Sequence, residues 1–380
     1  MMKIGTLLPK STFNLLLQHD FQAGMAACLQ HRQTGATLVS SNIQYGTNAG
    51  LVHQEAERLL LEEKADILVV YADQATLKQT ADLARALNKL LIAVHGGAKY
   101  LHNWEPHPAM LSHTLNSTIH CRLTGMYAAA KASHAAMCTS FYDGGYSHCH
   151  AFSEAYMNNG GSLTYNYISQ YKAAEFNTAP LEAFLNAHPE TRALLSLFNG
   201  DLAHCFLQHL QRSGINDLQL FTGPMLPDES LPAVHGPLEL PFRLQGYTPW
   251  VSILDLPANE LFKAQFRQHS GREASMAALH GWDTGVILEQ ILRTAGQHRF
   301  RAETILEMLK EVQLESPRGI LHMDAATHHI LGPSWLVQMD ETFKPAILGE
   351  VNNTAHIWQD IIRRKPEEQA SGWINTYLCA

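Results

Sequence analysis

The stretch Asp66-Ile67-Leu68-Val69-Val70-Tyr71 is one acid followed by an unbroken apolar run. A strand without polar alternation needs cover on both faces, as in the interior of a parallel sheet. Leu77, Ala81, Ala84 and Leu87 then recur at helical spacing. Leu90–Val94 is the next apolar run, broken by Gly96-Gly97. Strand, helix, strand at this spacing is a right-handed βαβ unit. Upstream the pattern repeats. Lys3–Leu8 is a short apolar run closed by Pro9. Phe13, Leu17, Phe21, Met25 and Leu29 mark one helix face. Thr37–Tyr45 is β-branched and ends at Gly46, and Leu51–Glu63 is amphipathic.

The pattern pauses between Ala98 and His120 and then restarts. Tyr127–Ala136 reads as an alanine-rich helix and Met137–Asp143 as a strand. His148–Asn158 reads as a helix ended by Asn159-Gly160-Gly161. Leu163–Ile168, Ala193–Phe198 and Leu218–Thr222 read as strands, with helices at Pro180–Ala187 and around Ala203–Leu210. That makes two α/β sheets in series. Leu244–Ile253 then looks extended, and helices are expected over Ala258–Arg267, Met276–Thr294 and Ala302–Gln313. Gly319–Met323 and Trp335–Gln338 look like strands.

A helical block after two complete sheets needs a surface to cover. The expected architecture is α/β, with two doubly wound parallel-sheet lobes joined by a three-segment hinge. One lobe takes residues 1–118 and 252–318, and the other 119–251 and 319–350. Crossings fall near 118–124, 246–251 and 319–324. Residues 351–380 form a polar tail with Trp358, Ile361, Ile362 and Trp373 as docking points.

The chain has 380 residues and a net charge of −8, without a Lys/Arg block, which argues against a nucleic-acid partner. No apolar run approaches the roughly 20 residues of a membrane span. Met1–Pro9 lacks the apolar core of a signal peptide, so the chain as written is expected to be cytoplasmic. Cys28, Cys121, Cys138, Cys149, Cys205 and Cys379 show no CxxC pair and read as small buried thiols. The 22 histidines make the charge soft near pH 6.

Several enzyme signatures are missing. The sequence has no GxGxxG and no P-loop. Gly145-Tyr146-Ser147-His148-Cys149 approaches a nucleophile elbow but lacks its second glycine. His148-Cys149-His150 and the set His322, Asp324, His328, His329 invite a metal, and a metal-dependent hydrolase is the alternative they would support. Their spacing contains no recognisable ligand pair, so no metal, cofactor or catalytic residue is expected.

The loops at the carboxyl ends of the strands are more informative, because open α/β sheets bind ligands there. They carry Ser11 and Thr12; Tyr71, Asp73 and Gln74; His95, Gly96 and Gly97; Tyr142, Asp143 and Tyr146; Phe198 and Asn199; and Thr222 and Pro224. Aromatic, hydroxyl, amide and acidic groups converge without a nucleophile–base pair. The set suits a small polar ligand held between lobes, with Asp73 as acceptor for an amine or amide N–H.

The chain resembles the type I periplasmic binding proteins, in the leucine/isoleucine/valine-binding branch that serves ABC transporters. The resemblance reaches to about residue 350. Its anchors are Ile4-Gly5-Thr6-Leu7-Leu8-Pro9 with Asp20-Phe21-Gln22-Ala23-Gly24, then Phe141-Tyr142-Asp143-Gly144-Gly145-Tyr146 and Asn159-Gly160-Gly161. Gly281-Trp282-Asp283-Thr284-Gly285 and Pro317-Arg318-Gly319-Ile320-Leu321-His322-Met323-Asp324 complete them. The resemblance implies two lobes with three crossovers that close on a small-molecule ligand, no enzymatic activity, and an ABC permease or a sensing role. It implies a periplasmic location if a leader was removed. Members that bind amino acids place a serine after the third strand and a threonine after the fourth, on the ligand carboxylate. Here those loops read Tyr71-Ala72-Asp73-Gln74 and His95-Gly96-Gly97-Ala98. An amide, urea-like or amine-bearing ligand fits them at least as well as a leucine-like one.

Overall fold

A computed structural model describes residues 2–12, 14–98, 106–141, 143, 147–297 and 300–363, with the backbone alone for 74–75 and 296–297. The first half of the chain is β1 (Lys3–Leu8), α1 (Leu17–His31), β2 (Thr37–Asn42), α2 (Ala49–Leu61), β3 (Ile67–Tyr71), α3 (Gln74–Ala86), β4 (Leu90–His95) and β5 (Met110–Thr114). The second series is α4 (Ser117–Ala129), β6 (His134–Thr139), α5 (Ser147–Asn158), β7 (Ser162–Ile168), α6 (Ala179–Ala187), β8 (Ala193–Leu197), α7 (Gly200–Arg212), β9 (Gln219–Thr222), α8 (Leu231–His235) and β10 (Arg243–Thr248). The last part holds α9 (Pro257–Ser270), α10 (Met276–Gln297), α11 (Ala302–Leu309), β11 (Leu314–Ser316), β12 (Gly319–Met323), β13 (His329–Leu331), β14 (Ser334–Met339), β15 (Pro345–Val351) and α12 (Ala355–Arg363).

Two sheets result, with strand orders β11-β12-β13-β5-β4-β3-β1-β2 and β15-β14-β10-β9-β8-β6-β7. Both are parallel through their centres and antiparallel at one edge, where β11 and β12, and β14 and β15, are added. The runs that define the fold are buried on both faces: every residue of β3, β4 and β5 is buried.

The late helices cover the first sheet. Gly24 of α1 and Gly281 of α10 meet so closely that a methyl on either would run into the other helix's backbone at Ala278 and Phe21. Phe21, Phe262, Phe266 and Trp282 fill the layer beneath. A second core, with Phe176, Phe198 and Phe206, lies on one face of the second sheet, and α4 and α5 cover the other.

Four expectations are corrected. Residues 319–331 lie in the first sheet, because β13 pairs with β5 and β12 with β13; only β14 and β15 join the second. The third crossing therefore falls at Gly332-Pro333 instead of 319–324, and the first falls between β5 and α4, at Leu115-Asn116, instead of 118–124. The helix expected over Tyr127–Ala136 is α4, about one turn of it shared, and Ala135 and Ala136 begin the strand β6. The pause after Ala98 hides β5, whose Ser112 and His113 are fully buried. Cys28, Cys121, Cys138, Cys149 and Cys205 are free thiols, and Cys379 and Trp373 lie outside the described residues. Among the described residues no helix is long and apolar enough to cross a membrane.

One ion pair holds the crossings in register. Arg318 and Asp283 are both fully buried, with Arg318 Nε donating to Asp283 Oδ2 at 2.7 Å. Ser316 Oγ donates to the other carboxylate oxygen at 2.6 Å. Removing one partner of such a pair strands a buried charge and typically costs about 3–5 kcal/mol. Asp283→Ala is expected to lower stability by that order in urea unfolding, and an apolar double replacement, Asp283→Leu with Arg318→Met, to cost clearly less.

Buried histidines make the fold acid-sensitive. Burial pushes His95, His120, His148 and His280 down to about 3 and His329 to about 4, and holds His113 well below its ordinary value. Each is neutral in the folded chain and protonates near 6.5 when unfolded. The unfolded state thus binds more protons as pH falls below 6.5, and stability falls with it. Asp143, raised by burial to about 7, works in the opposite sense, as do Asp201, Asp228, Glu229 and Asp283, while His204, His322 and His328 are lowered by burial and add to the histidine side. Between pH 7.5 and 5.5 the loss is about 1 kcal/mol per histidine, so urea midpoints should drop steeply over that range. A flat profile would contradict neutral burial.

Candidate ligand cleft

The loops at the carboxyl ends of the two sheets meet. The His148 N–H, in the first turn of α5, donates to the Ala98 carbonyl of the β4 loop at 2.9 Å. Ser117 Oγ and Thr118 Oγ1, opening α4, donate to the carbonyls of Gly96 and Gly97 at 2.7 Å each. Between α1 and the loop after β9, Leu17, Asp20 and Ser275 face Gly200, Met225, Asp228 and Ser230 across a narrow cavity of about 30 Å³, room for water-sized groups only.

On the first-lobe wall Asp73 and His95 sit together, buried, with 3.7 Å between Asp73 Oδ1 and His95 Nδ1. The Gly97 N–H donates to His95 Nδ1 at 3.2 Å. The ring is neutral, held to about 3 by burial, so the proton belongs on Nε2. The pair is therefore the Asp73 carboxyl group beside a neutral imidazole. The Gly97 N–H is spent on that ring and is not free to hold an anion. Burial of Asp73 and His95 follows from their place just after β3 and at the last residue of β4, two apolar strands.

On the second-lobe wall Asp143 lies buried at the end of β6. Ser140 Oγ donates to its Oδ2 at 2.5 Å, and Asn199 Nδ2 reaches both carboxylate oxygens at 3.3 Å. His148 Nε2 is 3.7 Å from Asp143 Oδ1. Burial moves the two groups toward neutrality, Asp143 up to about 7 and His148 down to about 3, so this contact is not an ion pair. Asn199 precedes α7 in extended conformation, and its Oδ1 is buried without a hydrogen-bond partner among the described residues. The amide thus offers an acceptor while Asp143 holds its nitrogen.

Other expected residues are placed differently. Ser11 Oγ accepts the Asn14 N–H at 2.9 Å before α1, and Thr12 is exposed. Tyr71 is edge-on to Phe21 and His280, beneath the cleft floor. Phe198 stacks on Phe206 at 4.2 Å, in the second core. Thr222 is fully buried against Gly246, and the Pro224 carbonyl accepts from Thr248 Oγ1 at 3.4 Å. Phe198 is thus part of the second core, and Thr222 is buried against the neighbouring strand β10. Tyr142, Tyr146 and the side chain of Gln74 lie outside the described residues.

Sequence reasoning missed Asp20, Asp228 and Ser275. Arg272 Nε donates to Asp20 Oδ1 at 2.9 Å and Ser275 Oγ to its Oδ2 at 2.7 Å, across 252 and 255 residues of sequence. Asp20 sits inside a helix pattern, where an acid reads as surface. Only the return of α10 buries it.

A family model described as periplasmic binding protein matches residues 2–344. The chain belongs to that family. No curated protein sequence matches it. Periplasmic binding proteins of solved structure share its fold. An ABC transporter solute-binding protein from R. palustris in complex with benzoate aligns with TM-score 0.75 and 20% identity, covering 93% of this chain and 98% of that one. An ABC transporter substrate-binding protein from Sphaerobacter thermophilus gives TM-score 0.76 at 15% identity, over 93% and 98%. An ABC-type branched-chain amino acid transporter protein from Rhodopseudomonas palustris gives 0.69 at 14%, over 93% and 97%. The family is one of binding proteins, and the hydrolase reading drops out on that ground.

Gly97 marks where backbone must approach backbone. Its φ is +78°, and an added Cβ would lie 2.9 Å from Thr114 Oγ1 and 3.0 Å from the Asn116 nitrogen. Gly97→Ala is expected to cost about 1–3 kcal/mol and to loosen the first crossing. Differential scanning calorimetry checks this, with Gly35→Ala, where φ is +66° but nothing lies within 4 Å, as the reference for backbone strain alone.

Proposed function

We propose that the cleft holds one small polar solute, taken through its N–H or O–H donors, and that the lobes close on it. What supports this reading is that acceptor side chains stand at the carboxyl ends of strands in both sheets. Asp73 follows β3 in the first sheet, and Asn199, whose Nδ2 donates to Asp143 and leaves Oδ1 as an acceptor, follows β8 in the second. A solute bridging them is touched by both lobes, which is what couples binding to closure. As a member of the periplasmic binding protein family, the chain then acts as the solute-binding component of an ABC importer or as a ligand sensor, and an ABC permease is the partner the first role requires.

The chemistry favours an amine, amide or urea-like solute. Benzoate, carried by one structural neighbour, is an anion that needs donors or a cation. Asp73 opposes an anion, and the Gly97 N–H nearby already serves His95.

Asp73→Asn tests the reading. A thermal-shift screen of amino acids, amides, polyamines and benzoate first finds a solute that stabilises the chain, by about 2.7 kcal/mol at a hundredfold excess over Kd. Calorimetric titration then compares the two proteins. For a cationic solute Asp73→Asn should weaken binding about tenfold or more, since a charge-assisted bond is worth about 1.5–3 kcal/mol. For a neutral amide the loss should be smaller. Asn is nearly as good a helix cap as Asp, so unchanged affinity with an intact fold would remove Asp73 from the site.

A further inference from the structure

The helix α12 lies beyond residue 344, where the family match ends, and it touches both lobes. Its chain arrives from β15 of the second sheet. Thr354, fully buried, donates from Oγ1 to the Gly332 carbonyl at 2.9 Å and so pins the start of the helix to the third crossing. From there the helix faces two ways. Toward the first lobe, Trp358 Nε1 donates to Thr327 Oγ1 at 3.0 Å and the indole lies 4.6 Å from the His329 ring. Gln359 Nε2 donates to Asp324 Oδ1 at 2.8 Å. Thr327, His329 and Asp324 all belong to β13 or to the turn before it, in the first sheet. Toward the second lobe, Asp360 pairs with Arg122 of α4, and Arg122 also faces Glu154 of α5 at 3.7 Å. Ile357 and Ile361 share an apolar cluster with Ile119 and Leu123 of α4 and with Leu331.

We propose that α12 is a strap across the hinge, a fourth connection that limits how far and how often the lobes part. Rotation of one lobe against the other changes the distance from Asp324 and Thr327 to Arg122. A helix fastened to all three must then give up one set of contacts. The three covalent crossings can bend through a few backbone dihedrals, but packed side chains hold discrete arrangements and resist continuous deformation. The strap therefore favours the arrangement seen here. The first-lobe contacts are the ones to release, because they are one indole, one amide and the side of the isoleucines that meets Leu331, while the second-lobe side has an ion pair and the isoleucine packing on Ile119 and Leu123. This inference rests on the two-lobe closing motion proposed above but not on the identity of any solute.

The test uses the full chain without added solute. Wild type is compared with Trp358→Ala/Gln359→Ala by small-angle X-ray scattering and by amide hydrogen exchange at residues 115–117 and at Gly332 and Ser334, which flank Pro333. The strap predicts a larger radius of gyration and about tenfold faster exchange at those two crossings, with exchange in β3 and β6 unchanged. An identical scattering curve and identical exchange at the crossings would overturn it, whatever happens to thermal stability. Should the double variant fail to fold, Gln359→Ala alone decides. It leaves the indole docked and the apolar cluster whole, so it should shift the same two readouts in the same direction, and no shift would equally overturn the proposal.

Discussion

A single buried arginine governs how this chain closes on itself. Arg318 stands in the turn between β11 and β12, fully buried, and its charge is met by Asp283 in the middle of α10. Around it the chain passes from lobe to lobe. Arg318 Nη2 lies 3.4 Å from the Thr114 carbonyl, just before the first crossing. Its own carbonyl accepts from Trp335 Nε1, just after the third. Gly332 leaves room for the guanidinium, since an added Cβ would sit 3.2 Å from it. Desolvating two charges is costly, and such a pair is weak evidence for stability as such. Its value here is positional. It requires α10 to lie over the first sheet, and it requires β12 to return there before the chain leaves for β14.

The cleft follows from that frame. With α10 fixed, α1 is fixed through the Gly24–Gly281 approach, and the loop after β1 is delivered to the cleft rim. With the first crossing fixed, α4 starts on the Gly96 and Gly97 carbonyls, and α5, packed on α4, brings His148 to Ala98. Both walls then carry the same electrostatic device. A carboxyl group is buried beside a histidine that burial keeps neutral: Asp73 with His95, and Asp143 with His148. Neither histidine carries a charge that would cancel its acid, and burial lifts Asp143 to about 7.

Much of this was legible in the sequence, and the limits have physical causes. The runs at Ile67–Tyr71 and Leu90–His95 announce a parallel sheet because nothing but a doubly covered strand tolerates them. β5 hid because Ser112 and His113 look like surface, yet His113 is buried 4.7 Å from His280 of a helix 167 residues away. The membership of β12 and β13 depends on pairing partners, which no local pattern encodes. The helix α12 escaped because nine residues with Ile357, Trp358 and Ile361 make too short a stripe to outweigh a polar setting. At the strand ends, position nominates Asp73, His95, Asp143 and Asn199, all of which are buried there. Position alone does not distinguish them from Phe198, which packs on Phe206 in the second core, since which neighbour faces the core depends on packing across the sheet.

The most direct test of a closing solute-binding cleft is native mass spectrometry of the intact chain incubated with a small-molecule metabolite extract. The account predicts one adduct of a single mass at one copy per chain, released unchanged on denaturation and lost when Asp73 and Asn199 are both replaced by alanine. Consumption of a metabolite with release of a different molecule, or the same adducts on the doubly substituted chain, would contradict it.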